Sequence, residues 1–170
     1  FNNQLSLVTL DAAGVRAILE HGVSATAPGS TPGQFPQIAG MRFSFDPTRP
    51  AGDRVRSAVV VNDLGNKVDT LVKDGLVFGD PTRTFRMVTL NFLAGGGDGY
   101  PFNTLGTNRV DLNTLPDALP APVASFTNAG SEQDALAEYL AAFHATTPYA
   151  EAETGTDLDE RIQILNERLD

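Results

Sequence analysis

Apolar residues in this chain come in short bursts of two periods, each closed by a turn. Leu5 to Leu10 (Leu-Ser-Leu-Val-Thr-Leu) predicts a strand. Asp11 then stands where a helix N-cap belongs, and Val15, Ile18, Leu19 and Val23 recur at helical spacing, which predicts a helix from Ala12 to about Gly22. Gly22 sits where a helix C-terminus commonly has glycine. Ser24 to Gln34 is a run of small residues, Pro and polar residues that delivers Phe35 to the next strand. Met41-Arg42-Phe43-Ser44-Phe45 alternates, as a half-buried strand does. Asp46 to Asp53 is a turn, and Val55 to Val61 is a strand with Val55, Ser57, Val59 and Val61 on one face and Arg56, Ala58 and Val60 on the other. Leu71 to Phe78 folds on itself as a hairpin, because Asp74-Gly75 suits a tight primed turn. Thr84 to Leu93 is a strand that runs into Gly95-Gly96-Gly97-Asp98-Gly99-Tyr100.

Beyond Tyr100 the pattern weakens, and Pro116, Pro120 and Pro122 exclude a long helix. Ser131 caps the next helix, which has an acidic first turn and Leu136, Tyr139, Leu140 and Phe143 on one side. A second acidic loop, Tyr149 to Asp159, leads to Arg161-Ile162-Gln163-Ile164-Leu165, which reads as an edge strand or a short helix. Local strand pairs and separate helices define an α+β domain with a mixed, mostly antiparallel sheet and two or more packed helices. There is no internal repeat and no second domain, so residues 1–170 are read as one unit. The chain opens on Phe1-Asn2-Asn3-Gln4, as though from the middle of a longer protein.

Charge and composition narrow the partners. The formal net charge is −9 and the lysines are Lys67 and Lys73, so nucleic-acid backbones and anionic membrane surfaces are repelled and neither is an expected partner. No apolar run is long enough to span a bilayer. With no cysteine, thiol catalysis, disulfides and Cys-type zinc sites all fall away. The histidines, His21 and His144, lack a His or Asp at ligand spacing on their own helix faces and read as solvated or capping residues. No metal site and no catalytic residue is assigned to this chain. A Gly-x-Ser-x-Gly nucleophile elbow is missing, and the glycine loop lacks the Gly-Lys-Ser/Thr ending of a phosphate cradle.

What remains is recognition. Gly96 and Gly97 let the backbone take positive φ and come close to a ligand. Asp98 offers two acceptor oxygens, suited to vicinal hydroxyls or to bracing its own turn. Phe35 and Phe92 either pack in the core or lie against a flat apolar ring. A nucleoside has both a flat base and vicinal hydroxyls.

Three segments meet a family at this point: Gly33-Gln34-Phe35-Pro36-Gln37-Ile38-Ala39-Gly40-Met41, Pro50-Ala51-Gly52-Asp53-Arg54-Val55 and Asn91-Phe92-Leu93-Ala94-Gly95-Gly96-Gly97-Asp98-Gly99-Tyr100. In this order and spacing they closely resemble the C-terminal domain of the 5′-nucleotidase family, which includes UDP-sugar hydrolases. Leu19-Glu20-His21 and the helix around Tyr139 fit as well. The resemblance implies a two-part enzyme of nucleotide catabolism. Its N-terminal metallophosphoesterase domain, outside this sequence, holds two divalent metals and cuts the phosphate ester. Its C-terminal domain binds the nucleoside, with Phe35 and Phe92 on the two sides of the base and Asp98 on the ribose. A periplasmic or extracellular location follows from the same resemblance. The family's Asn-Gly-Gly-Gly-Ile-Arg-like segment would precede Phe1, so this piece is expected to bind nucleoside weakly and to hydrolyse nothing alone. The alternatives are a non-catalytic binding or structural module of a multidomain secreted protein and, within the family, a UDP-sugar or 2′,3′-cyclic nucleotide hydrolase.

Overall fold

The computed structural model of the chain describes residues 3–30, 32–114, 130–150 and 160–165. Strand β1 (Leu5–Asp11) is the middle of a three-stranded antiparallel sheet, flanked by β6 (Thr84–Leu90) and β7 (Thr107–Asp111). Its period-two pattern buries Ser6, Val8 and Leu10 and leaves the alternate side chains more accessible. Asp11 ends the strand and starts the helix: its carboxylate accepts from the Gly14 N–H at 2.6 Å, an N-cap for α1 (Ala12–Val23). A five-stranded sheet forms the other layer in the order β5-β4-β3-β2-β8. It comprises β2 (Met41–Phe45), β3 (Val55–Val61), β4 (Lys67–Lys73), β5 (Leu76–Val77) and β8 (Ile162–Ile164). All its pairs are antiparallel except β2–β8, which is parallel. The C-terminal apolar run is therefore the strand of the two readings.

Helix α1 touches strands of both sheets. Its stripe, Val15, Ile18, Leu19 and Val23, joins Val8 and Leu10 of one sheet to Phe43, Phe45, Val55, Leu71 and Val72 of the other in a single core. The Asp74-Gly75 turn has φ of 54° and 83°, the paired positive values of a primed hairpin.

Five expectations need correcting. Gly22 does not terminate α1, which runs on to Val23 with Ser24 as its C-cap. Its missing side chain serves packing instead: a Cβ there would lie 2.9 Å from Pro36 Cδ and 2.9 Å from the Tyr100 hydroxyl. On β3 the register shifts between the Ser44–Ser57 and Phe45–Val55 pairs, so Val55 and Ala58 are both buried although an even alternation puts them on opposite faces. The β6 strand stops at Leu90, and Asn91–Ala94 forms a helical turn, α2. Strand β7 went unpredicted because Thr107-Asn108-Arg109-Val110-Asp111 carries one large apolar residue. It pairs with β1 through a bulge at left-handed Asn108 (φ 49°). On helix α3 (Glu132–His144), Leu136, Tyr139, Leu140 and Phe143 remain exposed, Phe143 by 71%. That helix is held at its N-terminus, where Ser131 Oγ accepts from the Asp134 N–H and Ser131 bridges to Gln4 beside β1. The prolines at 116, 120 and 122 and most of the second acidic loop lie outside the described residues.

Helix α1 is joined to the five-stranded sheet by a buried carboxylate. Glu20, 5% exposed, accepts from the backbone N–H groups of Arg54 (2.9 Å) and Val55 (3.0 Å) and from Arg16 Nη2 (3.0 Å). Arg54 returns the connection, donating through Nη1 to the carbonyls of Val23 (2.7 Å) and Thr26 (2.9 Å). The Pro50-to-Val55 segment is thereby clasped to the end of α1. Removing the carboxylate orphans two backbone donors and leaves Arg16 only the carbonyls of Gly75 and Gly52, so Glu20→Ala should lower the unfolding free energy by about 3 kcal/mol. Glu20→Gln, which keeps one acceptor oxygen, should lose less. Urea denaturation of the three proteins at neutral pH measures both.

Candidate functional site

The glycine loop begins one helical turn after β6. Asn91 starts that turn: its N–H donates to the Gln4 carbonyl (2.8 Å), and its side-chain oxygen accepts from the N–H groups of Phe92 (2.9 Å) and Gln4 (3.1 Å). Phe92 therefore projects from α2 rather than from a strand end, and it is 53% exposed. Its ring lies on the backbone of Gly97, where an added Cβ would come within 2.5 Å of the ring carbons. Gly96 (φ 94°) faces Asn103 so closely that a Cβ would sit 2.6 Å from its side-chain nitrogen. Both glycines thus have a packing reason inside the loop itself. Asp98 is exposed and held at φ 51°, between Gly96 and Gly99, which are also at positive φ. Among the described residues no hydrogen bond reaches its carboxylate.

The segment carrying Phe35 is tied to this loop by three residues that sequence reasoning did not put there. The Tyr100 hydroxyl donates to the Gln34 carbonyl at 2.6 Å. The Gln34 side-chain amide donates to the His21 carbonyl (2.7 Å) and to Ser24 Oγ (2.8 Å). His21 closes the ring: its Nε2 lies 2.8 Å from the Asp98 carbonyl, and its imidazole stands edge-on to Tyr100 with centroids 4.6 Å apart. A carbonyl only accepts, so Nε2 carries the proton. His21 is thus neither a solvated nor a capping histidine, as expected from sequence, but a half-buried bridge across 77 positions of chain. Its only sequence signal was its place in Leu19-Glu20-His21. His144, by contrast, stays at the end of its helix beside Tyr139 and the Thr147 carbonyl.

The structure therefore sets the Phe92 ring of α2 against Gly97, beside Asp98 on the loop, and fastens the Phe35 segment to that loop through Gln34. Phe35 itself is half-buried, its ring 6.0 Å from that of Phe45 in the core. No grouping of three His, Cys, Asp or Glu residues suited to a metal ion occurs among the described residues. None of the described helices is long and apolar enough to cross a membrane.

Two sheets clasped by one helix, with a glycine loop held against its last turn, define a recognisable kind of α+β module. The family described as 5′-nucleotidase, C-terminal domain, matches residues 1–106, and the chain belongs to that family. The trifunctional nucleotide phosphoesterase protein YfkN of Bacillus subtilis is 32% identical over 112 residues, 66% of this chain and 7% of that protein. Human 5′-nucleotidase is 31% identical over 100 residues, 59% of this chain and 16% of that protein. The crystal structure of a 5′-nucleotidase precursor from Thermus thermophilus superposes over 97% of this chain and 26% of its own, with a TM-score of 0.65 at 32% identity. The chain thus spans about a quarter or less of each of these proteins.

Tyr100 has the strongest electrostatic signature near the loop. It is 5% exposed, and burial, with a smaller contribution from the Asp98 charge, pushes its phenol from 10.0 up to about 12. The fold favours the neutral phenol that donates to Gln34. Its contribution to stability is complete below the ordinary value of 10.0 and is lost as pH rises from there through about 12. Absorbance titration should show a phenol ionising near pH 12 that Tyr100→Phe removes. The same substitution should flatten the fall in stability across that pH range.

Proposed function

We propose that this domain recognises the nucleoside part of a nucleotide for a 5′-nucleotidase-like phosphohydrolase whose catalytic groups lie in another domain. One observation carries the reading: an exposed carboxylate without a hydrogen-bond partner among the described residues stands on a loop that a half-exposed phenylalanine ring lies against, and that loop is tied to the segment of a second. Asp98 accepts both ribose hydroxyls, a charge-assisted pair of hydrogen bonds. Phe92 offers the base its free ring face, the other being covered by Gly97, and Phe35 forms the opposite wall. By analogy with single-stranded nucleic-acid binders, each stacked ring contributes about 1–3 kcal/mol. Gly96 and Gly97 keep the loop backbone close to the ligand.

The relatives support the choice of ligand. They are named as a nucleotide phosphoesterase and 5′-nucleotidases, and a Haemophilus influenzae NAD nucleotidase of similar fold is 30% identical, so a nucleotide is what the names have in common. The net charge of −9 argues that the phosphate itself is handled elsewhere. Two divalent metals belong to this proposal only as part of the catalytic domain, since the described residues here do not group as metal ligands. With the nucleoside held here and the metals there, this chain alone supplies affinity and no hydrolysis. A periplasmic or extracellular setting completes the proposal, in keeping with a relative named as a precursor.

The competing reading is a binding or structural module with an unused clamp, and the contact of Phe35 with Phe45 favours it. Calorimetry with adenosine separates the two. Phe92→Ala and Asp98→Ala should each weaken binding by about tenfold or more. Titrations that coincide for wild type and both variants would overturn the nucleoside reading.

A further inference from the structure

We infer that His21 is a positioning residue that sets ribose discrimination, by holding Asp98 in the conformation that presents its carboxylate. This rests on the nucleoside reading above and adds to it a residue outside the loop. The loop needs such a support. Gly95-Gly96-Gly97-Asp98-Gly99 contains four glycines, the residue that loses most conformational freedom on ordering. Asp98 sits at φ 51°, a region that L side chains enter reluctantly. The loop's own backbone bonds are short-range turns: Gly96 N–H to Leu93, Gly99 N–H to Gly96 and Tyr100 N–H to Gly97.

Among the described residues, two side-chain hydrogen bonds tie Gly95–Tyr100 to the rest of the domain. Tyr100 donates to Gln34, and His21 donates to the Asp98 carbonyl. Of the two, only the histidine acts on the residue whose side chain does the recognising. Its donor fixes the peptide plane that follows Asp98, and hence ψ of that residue. The next residue makes room for it: a Cβ on Gly99 would lie 3.2 Å from His21 Cε1. His21 is itself held through main chain and ring. Its backbone carbonyl accepts from the Gln34 amide and the Ser24 hydroxyl (2.7 Å each), and its ring rests edge-on against Tyr100. A rigid donor aimed at the carbonyl of a residue held at positive φ is how a support shell holds a recognition group to the needed geometry.

The test compares adenosine with 2′,3′-dideoxyadenosine, titrated by NMR into the full chain. Wild type should prefer adenosine, and Asp98→Ala should abolish most of that preference. His21→Phe keeps an aromatic ring against Tyr100 but lacks the donor. It should weaken adenosine by about tenfold, the size of one lost hydrogen bond, and leave the dideoxy compound unchanged. His21→Gln restores a side-chain N–H and should recover part of the loss. Equal weakening of both ligands, or no change in either, would overturn the assignment. If Asp98→Ala itself leaves the preference intact, the ribose role of Asp98 fails first, a distinct outcome. Should His21→Phe not fold, the wild type still decides. The 15N signal of His21 Nε2 should be that of a protonated nitrogen and should shift with adenosine but not with 9-methyladenine; an unprotonated Nε2, or equal shifts with both, rejects the inference.

Discussion

Four consecutive residues at the end of α1 hold this domain in register, and they do so because a helix turns its side chains by about 100° per residue. Glu20 points at the start of β3 and takes the N–H groups of Arg54 and Val55. His21 reaches the Asp98 carbonyl. Gly22 lets Pro36 and Tyr100 come up against the helix. The Val23 carbonyl receives Arg54 while its side chain enters the core. The Glu20 connection carries the heaviest cost if broken, since a buried carboxylate is tolerated only when its acceptor sites are filled. Each of the three family segments meets α1 within this one turn.

That convergence explains how a loop of glycines can hold one conformation. Such a loop has little stiffness of its own, and the structure lends it stiffness from a helix anchored in both sheets. Phe92 is fixed against Gly97, Tyr100 against Gln34 and His21, and the Asp98 backbone against His21. The carboxylate is left with no protein donor among the described residues, so its oxygens are available to hydroxyl groups. A carboxylate bonded within its own turn, the structural alternative for Asp98, would have had those oxygens occupied. The burial of the Tyr100 phenol belongs to the same design, because a buried hydroxyl must find an acceptor and finds it in the segment that carries Phe35.

Much of the fold was legible in the residues. The spacing of Val15, Ile18, Leu19 and Val23 marked α1, Asp11 and Ser131 marked helix starts, and Asp74-Gly75 marked a hairpin, all through interactions within a few residues. The order of the three family segments carried the family. Misreadings fell where a partner remote in sequence decides the outcome. β7 exists because β1 has an open edge for it, and α2 interrupts the β6 run because Asn91 bonds to Gln4. The β3 alternation breaks at a bulge, which no local periodicity announces. Gly22 has a reason that only Pro36 and Tyr100 reveal.

By itself, then, the sequence determined the elements, the acidic character and the residue types of the glycine loop, because these follow from local propensity and composition. Tertiary structure alone decided which groups face which: that His21 supports Asp98 across 77 residues, that Tyr100 reaches Gln34 across 66, and that Glu20 clasps the segment ending at Val55. Hydrogen bonds of that span are fixed by how two sheets seat on one helix turn, a geometry that exists only once the core of Val8, Leu19, Phe45 and Leu71 has formed.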